Sequence, residues 1–157
     1  MLISDSLGKS FVVTKNTKKP VSDLVVGDYI LCGDNNYHPI LSVNVKTTSV
    51  LSVKGFWFNA FKMPYDGKLY VRQREDCLKN MAEWICVSEF VKNENWQNYY
   101  ICTFGHFFDG VIDDAIYDGN YAWIPFRVVD ENKQTTVYEI TVDEADSIVV
   151  NLCIVKI

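Results

Sequence analysis

A chain of 157 residues, 48% hydrophobic and 14% aromatic, is long enough for one buried core and too apolar to stay disordered. Its net charge of −5, with cations and carboxylates interspersed, argues against a nucleic-acid partner, whose phosphates reward a basic face. No apolar run approaches the ~18 residues of a membrane span, and Met1-Leu2-Ile3-Ser4-Asp5 lacks the basic and apolar regions of a signal peptide.

Val, Ile, Thr, Tyr, Phe and Trp recur in short runs, and branched and aromatic side chains pack well on a pleated surface. In chain order the predicted strands are 11–14, 29–32, 40–45, 49–53 and 69–73, then 84–87, 99–103, 122–129, 136–142 and 147–155. Turn residues separate them at Gly33-Asp34-Asn35-Asn36, Asp66-Gly67, Asp118-Gly119-Asn120 and Asp130-Glu131-Asn132. Only 77–82 has the pattern of a helical turn or two, so the chain reads as all-β. Cys32, Cys77, Cys86, Cys102 and Cys153 are odd in number, form no CxxC pair and sit mostly in apolar runs. They are expected to be buried free thiols in a reducing compartment.

The order of features repeats. Val21-Ser22-Asp23-Leu24 leads to Tyr29-Ile30-Leu31, and Val87-Ser88-Glu89-Phe90 leads to Tyr99-Tyr100-Ile101. Tyr37-His38-Pro39-Ile40, a strand and Thr47-Thr48 are then matched by Trp123-Ile124-Pro125-Phe126, a strand and Thr135-Thr136. Two such halves, about 9–73 and 83–155, would each leave strand edges open. Pairing them about a pseudo-twofold axis within one domain, 1–157, would cover those edges.

The opening Ser10-Phe11-Val12-Val13-Thr14, followed by Lys19-Pro20-Val21-Ser22-Asp23-Leu24-Val25-Val26-Gly27-Asp28-Tyr29-Ile30, resembles the first block of inteins. Glu83-Trp84-Ile85-Cys86-Val87-Ser88-Glu89-Phe90 is similar to their middle segment. The stretch from Val137-Tyr138-Glu139-Ile140 to Val149-Val150-Asn151 resembles their penultimate block, "V-Y-D-l-x-V…H-x-F-v-x-N". The landmarks follow the family order over nearly the whole chain. They imply a Hint fold, the horseshoe-type fold shared by inteins and hedgehog autoprocessing domains, built of two pseudo-twofold-related β halves with little helix.

The resemblance also implies what self-splicing would need. A first-position Cys or Ser must attack its preceding carbonyl, a T-x-x-H motif polarises that bond, and a terminal His-Asn cuts the chain by Asn cyclisation. Spacing back from Ser10 puts Asp5 at the first position, with Ser4 or Ser6 as substitutes if the alignment slips by one. Aligning Leu69-Tyr70-Val71 on the strand before the motif puts Arg72 at the Thr and Glu75 at the His. Lys156 and Ile157 occupy the last two positions. Autoprocessing is therefore not expected, and the scaffold is read as non-enzymatic.

Other chemistry is sparse. His106 with Cys102 and Cys86 falls short of a well-spaced zinc set, and His38 precedes Pro39 in a turn. Asp109, Asp113, Asp114 and Asp118 crowd one segment without EF-hand spacing, as a solvated acidic loop does. No metal or cofactor is expected. Phe56-Trp57-Phe58-Asn59-Ala60-Phe61 is the densest aromatic run. As an alternating strand it would put Phe56 and Phe58 on one face and Trp57 on the other. Phe56, Trp57, Phe58 and Phe61 are then either core or a partner-binding patch, since aromatic side chains supply most hot-spot energy.

The function these features imply is a protein-binding or assembly module in the cytoplasm or a virus particle, as in a bacteriophage virion component. A regulatory protein that binds a host factor, a residual autoprocessing activity and a metal-dependent enzyme are the alternatives.

Overall fold

The computed structural model describes residues 2–4 (backbone alone), 10–105 and 114–157. The described residues form fourteen strands and one short α-helix. The first half supplies β1 (Leu2–Ser4), β2 (Phe11–Val13), β3 (Lys18–Pro20), β4 (Tyr29–Leu31), β5 (Tyr37–Lys54), β6 (Phe61–Pro64) and β7 (Lys68–Gln73). After β8 (Glu83–Cys86) come α1 (Val87–Val91), β9 (Tyr99–Phe104), β10 (Ile116–Asp118), β11 (Tyr121–Pro125), β12 (Arg127–Val142), β13 (Ser147–Val150) and β14 (Cys153–Lys156).

Two predicted strand pairs prove to be single long strands. The segments 40–45 and 49–53 fuse in β5, and 136–142 joins the end of 122–129 in β12. The turn signal Asp130-Glu131-Asn132 lies inside β12 as a bulge, between Val129↔Ser52 and Lys133↔Val50. Asn132 takes the left-handed conformation there (φ 54°), and its N–H is accepted by Asp130 Oδ1 at 2.9 Å. The polar triplet therefore closes a local turn without ending the strand.

β5 and β12 pair antiparallel along nearly their whole length, from Arg127↔Lys54 to Val142↔Ile40. Thr47 faces Thr136 and Thr48 faces Thr135. These are the residues that the two sequence halves share, so the local twofold of the ribbon passes between them. Around that point Val45, Lys46, Thr47, Lys133 and Gln134 are exposed, while both ends dive into the protein at Ile40, Val50–Val53, Val137 and Ile140.

The ribbon joins a five-stranded sheet, ordered β12-β1-β6-β5-β4, to the rest of the molecule. A nine-stranded sheet runs β10-β11-β9-β7-β14-β13-β2-β3, with β8 against β7. Each half contributes strands to both sheets, so neither half could bury its edges alone. The matched Val21–Asp23 and Val87–Val91 segments form a 3₁₀ turn and α1, beneath which Leu24 and Phe90 enter one core. Phe90 packs edge-on to Tyr99 and Phe126, with ring centroids 5.5 and 5.1 Å away. The five cysteines are unpaired thiols, and all but Cys86 are buried. Burial pushes the Cys32 thiol up to about 12 and also raises that of Cys153 well above the usual thiol range.

Phe90→Ala is expected to cost about 3–5 kcal/mol in urea unfolding, whereas Thr47→Ala, on the exposed middle of the ribbon, should stay within about 0.5 kcal/mol. The bulge carries a pH signature. Hydrogen bonds from Ser52 and then Lys54 hold the Glu131 carboxyl down to about 2, below its unfolded value of roughly 4.3. A depressed carboxylate adds stability that is present above the unfolded value and lost as pH falls toward 2. Glu131→Gln should therefore flatten the acid limb of stability between about pH 4.3 and 2.

Candidate functional site

β1 lies in the smaller sheet, where Ser4 faces Lys62 on one side and Val137 on the other. The antiparallel register carries the start of β1 toward Pro64, at the end of β6. β7, which bears Arg72, belongs to the larger sheet. Glu75 stands exposed in the connection from β7 to β8. A motif that polarises the first peptide bond must stand beside the chain's first residues. The segment leaving β6 does so, and it reads Pro64-Tyr65-Asp66-Gly67.

β1 pairs with β6 and not with β7, the strand that carries Leu69-Tyr70-Val71. β6 itself was not predicted, because Lys62 and Pro64 dilute its apolar pattern. The segment Pro64-Tyr65-Asp66-Gly67 holds neither Thr nor His. Gly67 N–H donates to the Pro64 carbonyl at 2.9 Å, closing a turn, and the Tyr65 hydroxyl donates to Asp130 Oδ2 at 2.6 Å. Asp5, Ser6, His106, Asp109 and Asp113 lie outside the described residues.

Arg72 and Lys156 have other roles. The Arg72 guanidinium lies over Trp123 (4.5 Å), Trp123 packs against Tyr70 (5.8 Å), Tyr70 against Trp84 (4.7 Å), and Lys156 Nζ lies over Trp84 (5.1 Å). Loose ion pairs close both ends: Arg72–Asp118 and Lys156–Asp146, each 3.7 Å. This row covers the face of the larger sheet opposite the main core, over the smaller cluster of Leu31, Cys102, Phe104, Val149 and Ile154. The Arg72 side chain is only 16% exposed, and its Nε is buried without a hydrogen-bond partner. The cation is retained by stacking rather than by a tight carboxylate. Ile157 packs against the main core and donates its N–H to the Asp146 carbonyl at 2.8 Å.

The aromatic run 56–61 is not the predicted alternating strand up to its last residue. Gly55 breaks β5 away, and a Cβ at Gly55 would stand 2.1 Å from the Phe58 ring. That close approach tucks Phe58 inward beside Phe61, their centroids 6.1 Å apart and both side chains buried. Phe56 and Trp57 are turned outward instead, at 89% and 39% exposure, in an edge-to-face pair 5.0 Å apart. This ridge separates two grooves. One, of about 280 Å³, is lined by Phe11, Lys18, Asn151 and Leu152, and the other, of about 420 Å³, runs toward Trp96 and Phe126. Asn151 braces the base of the ridge. Its Oδ1 accepts the Phe11 N–H and its Nδ2 donates to the Asn59 carbonyl, both at 2.9 Å.

Among the described residues, no three His, Cys, Asp or Glu side chains gather closely enough to hold a metal ion. His38 is engaged with Asp34 (Nε2 to Oδ2, 2.7 Å), and Asp118 with Arg72. No described helix is long and apolar enough to cross a membrane.

No protein-family model and no curated protein matches the chain. Solved structures do. A DnaB intein from Synechocystis is similar over 99% of this chain and 96% of its own, with a TM-score of 0.69 at 14% identity. The gp41-1 intein aligns over 100% and 99% (TM-score 0.59, 12% identity), and a bacterial intein-like domain from Clostridium thermocellum over 94% of each chain (0.57, 13%). The chain folds as an intein-like Hint domain. In this Hint domain the horseshoe is assembled from residues that share almost no identity with the inteins. The likeness is one of fold.

Two substitutions probe these assignments. In this Hint domain Gly55→Ala should expel Phe58 from its seat and cost about 1–3 kcal/mol in thermal or urea unfolding. Arg72→Met keeps the apolar stem over Trp123 and removes the orphaned Nε. It should change stability by no more than about 1 kcal/mol, because the lost stacking and the relieved donor offset each other.

Proposed function

We propose that this domain is a Hint scaffold without autoprocessing, which binds another protein through the Phe56–Trp57 ridge. The observation that carries the reading is the ridge itself. A phenylalanine with nearly nine-tenths of its surface in water is a lasting desolvation opportunity, and here it is braced by Gly55, Phe58, Phe61 and Asn151. A pre-ordered aromatic pair loses little entropy on docking and fits the central anchor of an interface.

The absence of self-cleavage is supported from two sides. The segment next to β1 is Pro64-Tyr65-Asp66-Gly67, with no general base or hydroxyl in the T-x-x-H pattern. Lys156 and Ile157 replace the terminal His-Asn, and a lysine–isoleucine pair offers no amide to cyclise. The acidic, aromatic-rich composition suits an assembly component, and a bacteriophage virion is the setting we assign to it.

Both parts are testable. When the domain is fused between two reporter proteins, intact-mass analysis after prolonged incubation with and without thiol should show only the full-length precursor. Any cleaved or ligated product would overturn the inactive reading. In virus particles carrying the tagged chain, Phe56→Ser with Trp57→Ser should reduce its incorporation at least about tenfold, as loss of a central anchor does. Unchanged incorporation would remove the ridge from the interface.

A further inference from the structure

Resting on that reading of the ridge, we propose that the larger of its two grooves takes an acidic segment of the partner protein with an apolar side chain at its centre. The groove has a volume of about 420 Å³, walls of Phe56 and Trp57, and a floor that includes Trp96 and Phe126. Its polar lining reverses the sign of the molecule. Overall the chain carries −5, yet among the described residues Lys54, Arg74 and Arg127 line this groove against one carboxylate, that of Asp114.

These cations are held in different ways. Arg74 is fixed in place. Its backbone N–H donates to the Asn98 carbonyl at 2.9 Å, its Nε donates to the Tyr99 carbonyl at 2.8 Å, and its guanidinium rests over Tyr100 at 5.1 Å. Neither Arg74 nor Arg127 has a carboxylate within ion-pair distance among the described residues, whereas Lys54 is tied to Glu131 at 3.1 Å. Arg127 is exposed at the very start of β12. Two unneutralised guanidiniums beside an aromatic wall match carboxylates that flank an apolar anchor, because Arg presents a planar fork to carboxylates and stacks on rings. A nucleic acid fits less well. It needs a continuous basic strip along its backbone, whereas the chain as a whole carries −5.

The test is fluorescence anisotropy with labelled short peptides. One alternates aspartate and glutamate around a central tryptophan–leucine pair, a second replaces the acids by their amides, and a third replaces them by lysine. Labelled oligothymidylate of similar length is the fourth probe. The acidic peptide should bind at least about tenfold more tightly than the amide peptide, weaken with salt, and outbind the other two probes. Arg127→Glu should weaken it about tenfold, Arg127→Lys should restore most of the loss, and Phe56→Ser should abolish binding, with unchanged circular dichroism in each variant.

If the amide peptide binds as tightly as the acidic one and Phe56→Ser abolishes both, the ridge docks by apolar contact alone. The charge proposal then falls while the docking reading stands. Acidic-peptide binding that survives Phe56→Ser and Trp57→Ser overturns both. Tighter binding of the lysine peptide or the oligonucleotide, or no binding by any probe, overturns the proposal.

Discussion

The antiparallel ribbon of β5 and β12 is the constraint on which the rest of this structure depends. Eighteen and sixteen residues of continuous strand run through the molecule side by side. Their middle is wet on both faces, so the ribbon gains little from burial there and is held by its ladder of backbone bonds. Its ends are different. At Ile40, Val50–Val53, Val137 and Ile140 it enters the core, and it pairs there with β1, β4 and β6. The register between Thr47–Thr48 and Thr135–Thr136 thus decides where everything else sits. A slip by one residue would exchange the buried and exposed faces at both ends at once.

That dependence explains what was legible in the sequence. Strand composition, turn residues and the repeated Thr-Thr landmark identify an all-β chain of two related halves, because short-range pattern and repeat order are written locally. The continuity of β5 and β12 is not. Asn44, Lys46 and the Asp130-Glu131-Asn132 triplet look like breaks, and only pairing with the opposite strand makes them exposed strand or bulge. Nor does local pattern reveal β6, where Lys62 and Pro64 sit on a strand whose worth lies in its neighbours β1 and β5.

The same limitation governed the site. Leu69-Tyr70-Val71 looks like a strand because three apolar, β-favouring residues stand together. The structure gives that run to the larger sheet and pairs the chain's first strand with β6. The aromatic run was visible as a candidate surface, but its division was not. Composition cannot say that Phe58 and Phe61 are core while Phe56 and Trp57 stand outside. The deciding feature is one glycine, Gly55, whose missing Cβ leaves room for the Phe58 ring.

Arg72 and Lys156 are both held by one aromatic row on the outer face of the larger sheet. A cation in a reactive position would have to be held near a developing charge. Here each cation is held over an indole ring, at opposite ends of one aromatic row, with its nearest carboxylate 3.7 Å away. Asp118, at 54% exposure, and the still more exposed Asp146 are screened partners that add little energy. The stacking contacts carry more, because the rings are desolvated on the sheet and the Arg72 side chain is itself only 16% exposed. Side chains committed in this way stiffen the outer face of the larger sheet. The ridge at Phe56 and Trp57 lies instead on the connection between β5 and β6 in the smaller sheet. It can meet a partner without disturbing the aromatic row, since no ring of the row takes part in either groove beside the ridge.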